Sequence, residues 1–233
     1  MTESPSPAPA PVNKSGRAFW LGMLLIGILL TSIVLLINLR NAVLTQANAT
    51  PTLAPDANGI FSLSEAREVA DFTMTANSGS SVSLSELTDG RYTLMFFGYT
   101  HCPDFCPLTL SKFRQIKREL GEQGELLNYV FVSVDGQRDT PVVLDSYVRR
   151  FDERFIGLTG TEVTLQQIAP DYGLFYQLNN QESQVDYLVD HSTSTYLIDP
   201  QRRLRVIYTY GAEIADMVES LRVILAQDGV SQG

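Results

Sequence analysis

Residues 92–110, YTLMFFGYTHCPDFCPLTL, join a short apolar run to two cysteines and then to a helical pattern. The run at 92–99 is apolar at nearly every position, as expected of a central strand that is buried on both faces. Cys102 and Cys106 follow where this strand should end, and apolar residues at helical spacing continue to Gly121. Functional sites of α/β sheets form beyond the carboxyl ends of strands. This stretch therefore predicts an α/β sheet with its functional site at the carboxyl end of the central strand.

Strands and helices alternate along the rest of the domain. A hairpin is predicted before the central strand and a strand pair near the C-terminus. Three strand–helix units lie between them, and the central strand with its helix is the first. The predicted elements are a hairpin at 71–87, strands at 129–134, 155–158, 194–199 and 204–210, and helices from Pro141 to Phe151, at 161–172 and at 212–226. The predicted fold is α/β, a mixed sheet flanked by helices that is compatible with a thioredoxin-like domain.

An uncharged apolar segment at residues 18–39 precedes this domain. As a helix it would be ~33 Å long, about the thickness of the bilayer hydrocarbon, which predicts a single transmembrane helix. Lys14 and Arg17 precede it, so the positive-inside rule favours a cytoplasmic N-terminus and an extracytoplasmic domain in the cell membrane. The run is longer than the apolar core of a cleaved signal, which favours an uncleaved anchor. We expect a disordered proline-rich tail at 1–17, a linker at 40–60 and the working domain at 61–233.

The composition excludes several classes of function. The chain has 17 Lys and Arg against 26 Asp and Glu, a net charge of −9, which makes it a poor candidate for binding nucleic acid. Two cysteines are too few for a disulfide-rich scaffold. Two histidines leave few routes to a metal site made of histidine alone.

Cys102 and Cys106 are four residues apart, which places both sulfurs on one face of a helix. The positive end of that helix should favour a thiolate. A structural disulfide is the weakest of three interpretations, because closing so short a loop contributes only ~2 kcal/mol. A redox-active dithiol, which forms a disulfide bond reversibly, and a soft-metal site for Cu(I) both remain open from spacing alone.

His191 lies just before the predicted strand at 194–199, near the end of the sheet that should carry the cysteine loop. A lone histidine is more often a packed or solvated residue, and that alternative stays open. Two thiolates and one imidazole would make a three-coordinate site for Cu(I), and imidazole also suits Cu(II). Asp186 and Asp190 are candidates to orient the ring. His101 adjoins Cys102 on an extended segment, so its side chain is expected to point the opposite way.

Three segments, FFGYTHCPDFCP at 96–107, VDGQRDTP at 134–141 and DYLVDHSTSTYLIDP at 186–200, together resemble the SCO/SenC family. That family consists of thioredoxin-like copper proteins that help to assemble cytochrome c oxidase, and the resemblance covers about residues 65–228. It implies that Cys102, Cys106 and His191 are the metal ligands. It also implies delivery of copper to the binuclear CuA centre of oxidase subunit II, or reduction of the cysteines of that centre beforehand. The family usually has proline and an acidic residue where Gly136 and Gln137 stand, in a loop expected to shape the site without binding metal.

Two functional classes follow from the resemblance. One is a membrane-anchored copper metallochaperone, which is not primarily an enzyme; the other is a thiol–disulfide oxidoreductase. Reductases of the thioredoxin type usually carry a proline facing the dithiol, whereas this chain has none between Gly173 and Asp199, the neighbourhood that holds His191. The metallochaperone is therefore the favoured prediction. Its expected partners are oxidase subunit II, a copper donor or a thioredoxin-like reductant, and the membrane.

Overall fold

The structure is a computed structural model that describes residues 23, 27, 29–36, 38, 56–179, 188–191 and 193–229, with only the backbone at 178, 179 and 188–191. The chain divides into two units, Met1–Thr52 and Leu53–Gly233. The described residues of the first unit are helical and exposed. Within the part of the chain that is described, no helix has both the length and the apolar character needed to cross a bilayer. The tail at 1–17, much of the span at 18–39 and most of the linker at 40–60 lie outside the described residues and stay predictions.

The described part of the second unit contains ten strands and five α-helices. The strands are β1 Ile60–Glu68, β2 Thr73–Ala76, β3 Ser81–Ser83, β4 Tyr92–Gly98, β5 Leu127–Ser133, β6 Ile156–Thr159, β7 Tyr176–Asn179, β8 Leu188–His191, β9 Thr195–Ile198 and β10 Arg203–Tyr208. The helices are α1 Leu84–Thr88, α2 Phe105–Leu120, α3 Pro141–Val148, α4 Glu162–Tyr172 and α5 Ile214–Gln227, and a 3-10 helix spans Gly121–Leu126.

Eight of the described strands form one mixed sheet in the order β1-β10-β9-β4-β5-β6-β2-β3, and β7 pairs with β8 in a separate ribbon. The strands β4, β5 and β6 are parallel, whereas β9 runs antiparallel to β4. All seven residues of β4 are buried, which explains the continuous apolar run of this strand. Because Thr195 pairs with Phe96, β9 begins beside the carboxyl end of β4. The start of β9 and the loop after β4 therefore share one edge of the sheet.

Local sequence signals set the helices that border this edge. In α3, the hydroxyl of Thr140 accepts a hydrogen bond from the backbone N–H of Val143, and Pro141 occupies the first turn. At the other end of α2, Gly121 has a φ of +61°, a left-handed conformation that glycine adopts without strain. The buried face of α2 follows helical spacing and consists of Cys106, Thr109, Leu110, Phe113, Ile116 and Leu120.

The predicted mixed sheet with flanking helices is confirmed, but three local predictions differ from the structure. The hairpin predicted at 71–87 ends at Ser83, because Ser83 and Glu86 form a capping box that starts α1. The strand β1 begins at Ile60, the last residue of the predicted linker, and pairs with β10. The ribbon of β7 and β8 was not predicted, and it places His191 at the end of a strand.

Candidate metal centre

The two cysteines lie at the junction of β4 and α2. The backbone N–H of Cys102 donates to the carbonyl oxygen of Tyr99 at 3.2 Å, which turns the chain sharply after the strand. The backbone N–H of Cys106, in the first turn of α2, donates to the Cys102 sulfur at 3.4 Å. Neither residue is in a disulfide, and they are 8% and 0% exposed. The spacing therefore brings the sulfurs together, without a disulfide between them.

Gly98 lets the Cys106 sulfur approach the central strand closely. A Cβ atom at this position would lie 2.6 Å from Cys106 Sγ and 2.7 Å from Cε2 of Phe131. Both distances are far shorter than a normal non-bonded contact of ~3.5–4.0 Å. The sulfur therefore packs directly on the β4 backbone, beside an aromatic ring from β5. A glycine in an otherwise apolar strand is a sequence signal for such an approach, although the sequence does not identify the atom that approaches.

The pKa of the Cys106 thiol is raised above its ordinary value. The largest cause is its hydrogen bond with the Cys102 sulfur, followed by burial and by repulsion from a charge on Cys102. The prediction that the helix terminus favours a thiolate is wrong for Cys106, because these effects outweigh it. The pair therefore holds a proton firmly until something that bonds to sulfur displaces it, as a soft metal cation does.

A buried carboxylate fixes the loop that carries the cysteines. Asp139 is 0% exposed and accepts hydrogen bonds from the backbone N–H of Thr100 at 2.9 Å, the Thr100 hydroxyl at 2.5 Å and the Ser133 hydroxyl at 2.6 Å. Burial is the largest influence on Asp139 and raises its pKa despite these three donors. The Nδ1 atom of His101 is turned to the same group, 3.1 Å from the Thr100 hydroxyl and 4.0 Å from Asp139 Oδ1. Asp139 therefore ties the cysteine loop to the loop between β5 and α3.

The segment before α3 shapes the site in a second way. The Nε atom of Arg138 donates to Asp135 Oδ2 at 2.5 Å, and this carboxylate is almost fully buried. The Arg138 guanidinium also lies over the ring of Tyr99, 5.8 Å from its centroid. Since Tyr99 directly precedes the cysteine loop, this arrangement agrees with the structural role expected of Asp135 and Arg138–Thr140 beneath the site.

The structure places the backbone of His191 but not its side chain. His191 is the last residue of β8, where its main chain pairs with Tyr176, and it lies four residues before Thr195, which starts β9. The side chains of His191 and Asp190, and the whole of Asp186, lie outside the described residues. The described side chains include no group of three His, Cys, Asp or Glu able to hold a metal ion. His191 as third ligand therefore stays a prediction.

Tyr147 lies in α3, where burial first and the charges of Cys106 and Cys102 next raise its pKa. Its side chain is 8% exposed, and its hydroxyl is buried without a hydrogen-bond partner among the described residues. Its ring packs against Phe131, with 5.7 Å between centroids. A tyrosine at helical spacing gives no signal in the sequence that its hydroxyl is buried.

Residues 62–226, which carry this sheet and the cysteine loop, match the family model described as SCO1/SenC. The chain belongs to the SCO1/SenC family. The SCO2-like protein of Rickettsia felis is 38% identical over 130 residues, which is 55% of this chain and 63% of that protein. The matched part thus spans less than two thirds of that relative.

Two solved structures of SCO1/SenC proteins resemble the fold described above. One is Arabidopsis thaliana ScoI with copper bound, 30% identical with a TM-score of 0.63 over 68% of this chain and 98% of that one. The other is apo Sco1 from Thermus thermophilus, 34% identical with a TM-score of 0.63 over 70% and 95% of the two chains. The likeness covers nearly all of each solved chain.

Proposed function

We propose that the protein is a membrane-anchored copper metallochaperone that assists assembly of the CuA centre of cytochrome c oxidase. The observation that carries the proposal is the pair of sulfurs from Cys102 and Cys106, not joined by a disulfide and buried side by side at the carboxyl end of β4. Thiolate sulfur is the ligand type that Cu(I) prefers. The copper found in Arabidopsis thaliana ScoI supports copper as the cargo.

Cys102 and Cys106 take the metal through their sulfurs in this proposal, and each gives up its proton as it binds. His191 supplies the third ligand, an imidazole nitrogen that also allows Cu(II) to be held. The sheet supports this assignment, because Thr195 begins β9 beside the carboxyl end of β4. Four residues reach at most ~14 Å, so the His191 backbone stays at the same end of the sheet as the cysteine loop.

The membrane anchor is the apolar segment at 18–39, which keeps the domain near a membrane-bound oxidase. The basic residues before this segment support a cytoplasmic N-terminus and a domain on the extracytoplasmic side. Oxidase subunit II is the proposed acceptor of copper at that surface. A copper donor or a thioredoxin-like reductant would act on the same two sulfurs before delivery.

A thiol–disulfide oxidoreductase is the second candidate, because two adjacent cysteines in the reduced state at the start of a helix are also what a redox dithiol requires. The raised pKa of Cys106 fits both candidates, because two of its three main causes are the hydrogen bond with Cys102 and a charge on Cys102, and the third is burial. Cys102 would be the attacking sulfur in thiol exchange, and both sulfurs would give up their protons to a metal.

A copper titration of the full chain in detergent tests the proposal. We expect one equivalent of copper and, in the Cu(II) form, a sulfur-to-copper charge-transfer band. Cys102→Ser and Cys106→Ser should each abolish tight Cu(I) binding. His191→Ala should weaken Cu(II) binding sharply and leave formation of the Cys102–Cys106 disulfide intact. His101→Ala is the matched control, because its ring is turned to Asp139, and it should bind copper like the unaltered protein.

Three results would contradict parts of this proposal. Copper at one equivalent in a serine variant would mean that the site is misplaced. Unchanged Cu(II) affinity in His191→Ala would remove that residue from the ligand set. Absence of copper binding combined with rapid reduction of disulfides in other proteins would favour the oxidoreductase.

A further inference from the structure

The side chain of Tyr176, the first residue of β7, ties the β7–β8 ribbon to the start of α4. Its hydroxyl donates a hydrogen bond to Glu162 Oε1 at 2.7 Å, and its ring packs against the hydrophobic core. The side-chain amide of Gln166 donates to the same oxygen at 2.9 Å, which orients the carboxylate. A hydrogen bond accepted by a carboxylate is stronger than one between neutral groups. The contact therefore fixes the place where β7 begins.

This contact lies at the edge of the sheet that carries the cysteine pair. The strands β4, β5 and β6 are parallel, so their carboxyl ends share one edge. Glu162 begins α4 shortly after Thr159, the last residue of β6. Together with Asp135 and Gln137, Glu162 also lines a cavity of about 310 Å³. Those two residues belong to the loop that Asp139 ties to the cysteine loop, so Tyr176 is anchored beside the site.

Tyr176 is also the residue opposite His191 in the ribbon. The main chains of these two residues pair directly in the antiparallel ladder of β7 and β8. Opposite residues in such a ladder have Cα atoms ~4.5–5.5 Å apart, so a contact that fixes the main chain of Tyr176 also fixes that of His191. The hydrogen bond to Glu162 thus acts on the His191 backbone through one pair of residues.

We propose that Tyr176 is a positioning residue whose hydrogen bond to Glu162 holds the His191 main chain at the edge of the sheet that carries the cysteines. This inference rests on the proposed function, since it needs copper at the cysteine pair and His191 as the third ligand. The apparent affinity of a site falls in proportion to the share of molecules in the binding arrangement. The two sulfurs lie on α2 and the loop before it, so the contact should affect only the part of copper binding that His191 supplies.

Competition of the full chain in detergent with a Cu(II) chelator tests this role. Tyr176→Phe removes the hydroxyl and keeps the ring against the core. We expect Cu(II) affinity to fall about fivefold, because the loss of one such hydrogen bond shifts an equilibrium by that order. Tight Cu(I) binding by the sulfurs should be retained. In a His191→Ala background the same substitution should change nothing further, because the ligand that it positions is gone.

Variants of Glu162 and a second tyrosine provide the controls. Glu162→Ala should act like Tyr176→Phe, and the double variant should bind Cu(II) no more weakly than either. Glu162→Gln should restore parental affinity, because its amide oxygen accepts the same hydrogen bond. The hydroxyl of Tyr92 also donates to a carboxylate, that of Asp228, but Tyr92 is the first residue of β4, at the opposite edge of the sheet. Tyr92→Phe should therefore leave Cu(II) affinity unchanged.

The outcomes separate this inference from the function on which it rests. If the unaltered protein binds no copper, both fail. If His191→Ala binds Cu(II) like the parent, the third ligand is wrong and the inference fails with it. If His191→Ala weakens Cu(II) binding and Tyr176→Phe does not, only the role of Tyr176 is overturned. An equal loss from Tyr176→Phe with and without His191 would also overturn it, because the effect would then not pass through that residue.

Discussion

Substitution of Gly98 by alanine tests whether the close approach of β4 and Cys106 governs the site. The added methyl carbon would stand 2.6 Å from Cys106 Sγ and 2.7 Å from Cε2 of Phe131. Relief of both contacts to an ordinary distance of ~3.5 Å requires a movement of roughly 1 Å by the sulfur, the ring or the strand. Cys106 and Phe131 are both 0% exposed, so neither has free space to enter. Overpacking of a close-packed core costs about 1–3 kcal/mol, and we expect a loss near the upper end.

Urea denaturation of the copper-free protein measures this loss, and a Cu(I) competition titration measures its effect on the site. Because the methyl group pushes the sulfur away from its position beside Cys102, copper affinity should fall together with stability. Gly157→Ala on β6 is the control, since its methyl group would meet Leu144 at 3.1 Å and Val148 at 3.3 Å, away from the sulfurs. It should lose less than about 1 kcal/mol, because these neighbours need to shift by only a few tenths of an ångström. The reasoning is refuted if Gly98→Ala retains both parental stability and copper affinity.

Two further predictions concern buried or paired carboxylates. Asp139→Asn should destabilise the domain by about 1–3 kcal/mol in urea, because the amide NH₂ would face Thr100 or Ser133 donors that the carboxylate now accepts. The pKa of Asp228 is held below its ordinary value by the Tyr92 hydroxyl first and by Arg205 second. The ionised Asp228 therefore stabilises the fold above the pKa of the unfolded chain, and this stabilisation disappears as pH falls through the lower folded pKa. The free energy of unfolding, measured by urea denaturation between pH 7 and pH 2, should therefore fall less steeply for Asp228→Asn. The difference should be at most about 1 kcal/mol, since a third of the Asp228 side chain is exposed.

Each of these predictions has a clear contrary result. Parental stability in Asp139→Asn would mean that the cysteine loop does not depend on this carboxylate. A parallel fall of stability with acid in Asp228→Asn and the parent would mean that Asp228 has the same pKa in the folded and unfolded chain.

The centre of the fold is predictable because its signals are local. The residues of β4 are apolar except for Thr93, and the structure buries all seven of them. Gly121 and Pro141 mark a helix end and a helix start from sequence alone, and the structure uses both in those roles. The junction of a buried strand with a helix also locates the cysteine pair. These features follow from residues close to one another in the chain.

Other features depend on contacts between distant residues. The pattern of β1 is broken by a register shift between Ser62 and Arg67, and its partner β10 lies far along the chain. The raised pKa of Cys106 comes from its pairing with Cys102 and its burial, neither of which helix position alone reveals. The burial of the Tyr147 hydroxyl, which has no partner among the described residues, depends on Phe131 of β5 packing on its ring.

The two sulfurs lie at different depths below the surface of the domain. Cys102 is slightly open to solvent, whereas Cys106 is sealed against the strand behind it. An incoming donor atom from another protein therefore meets Cys102 first, and Cys106 is the last protein sulfur to release whatever the pair holds. The different depths of the two sulfurs thus set the order in which they would exchange a bound metal with another protein. Reversing this order would require the first turn of α2 to open.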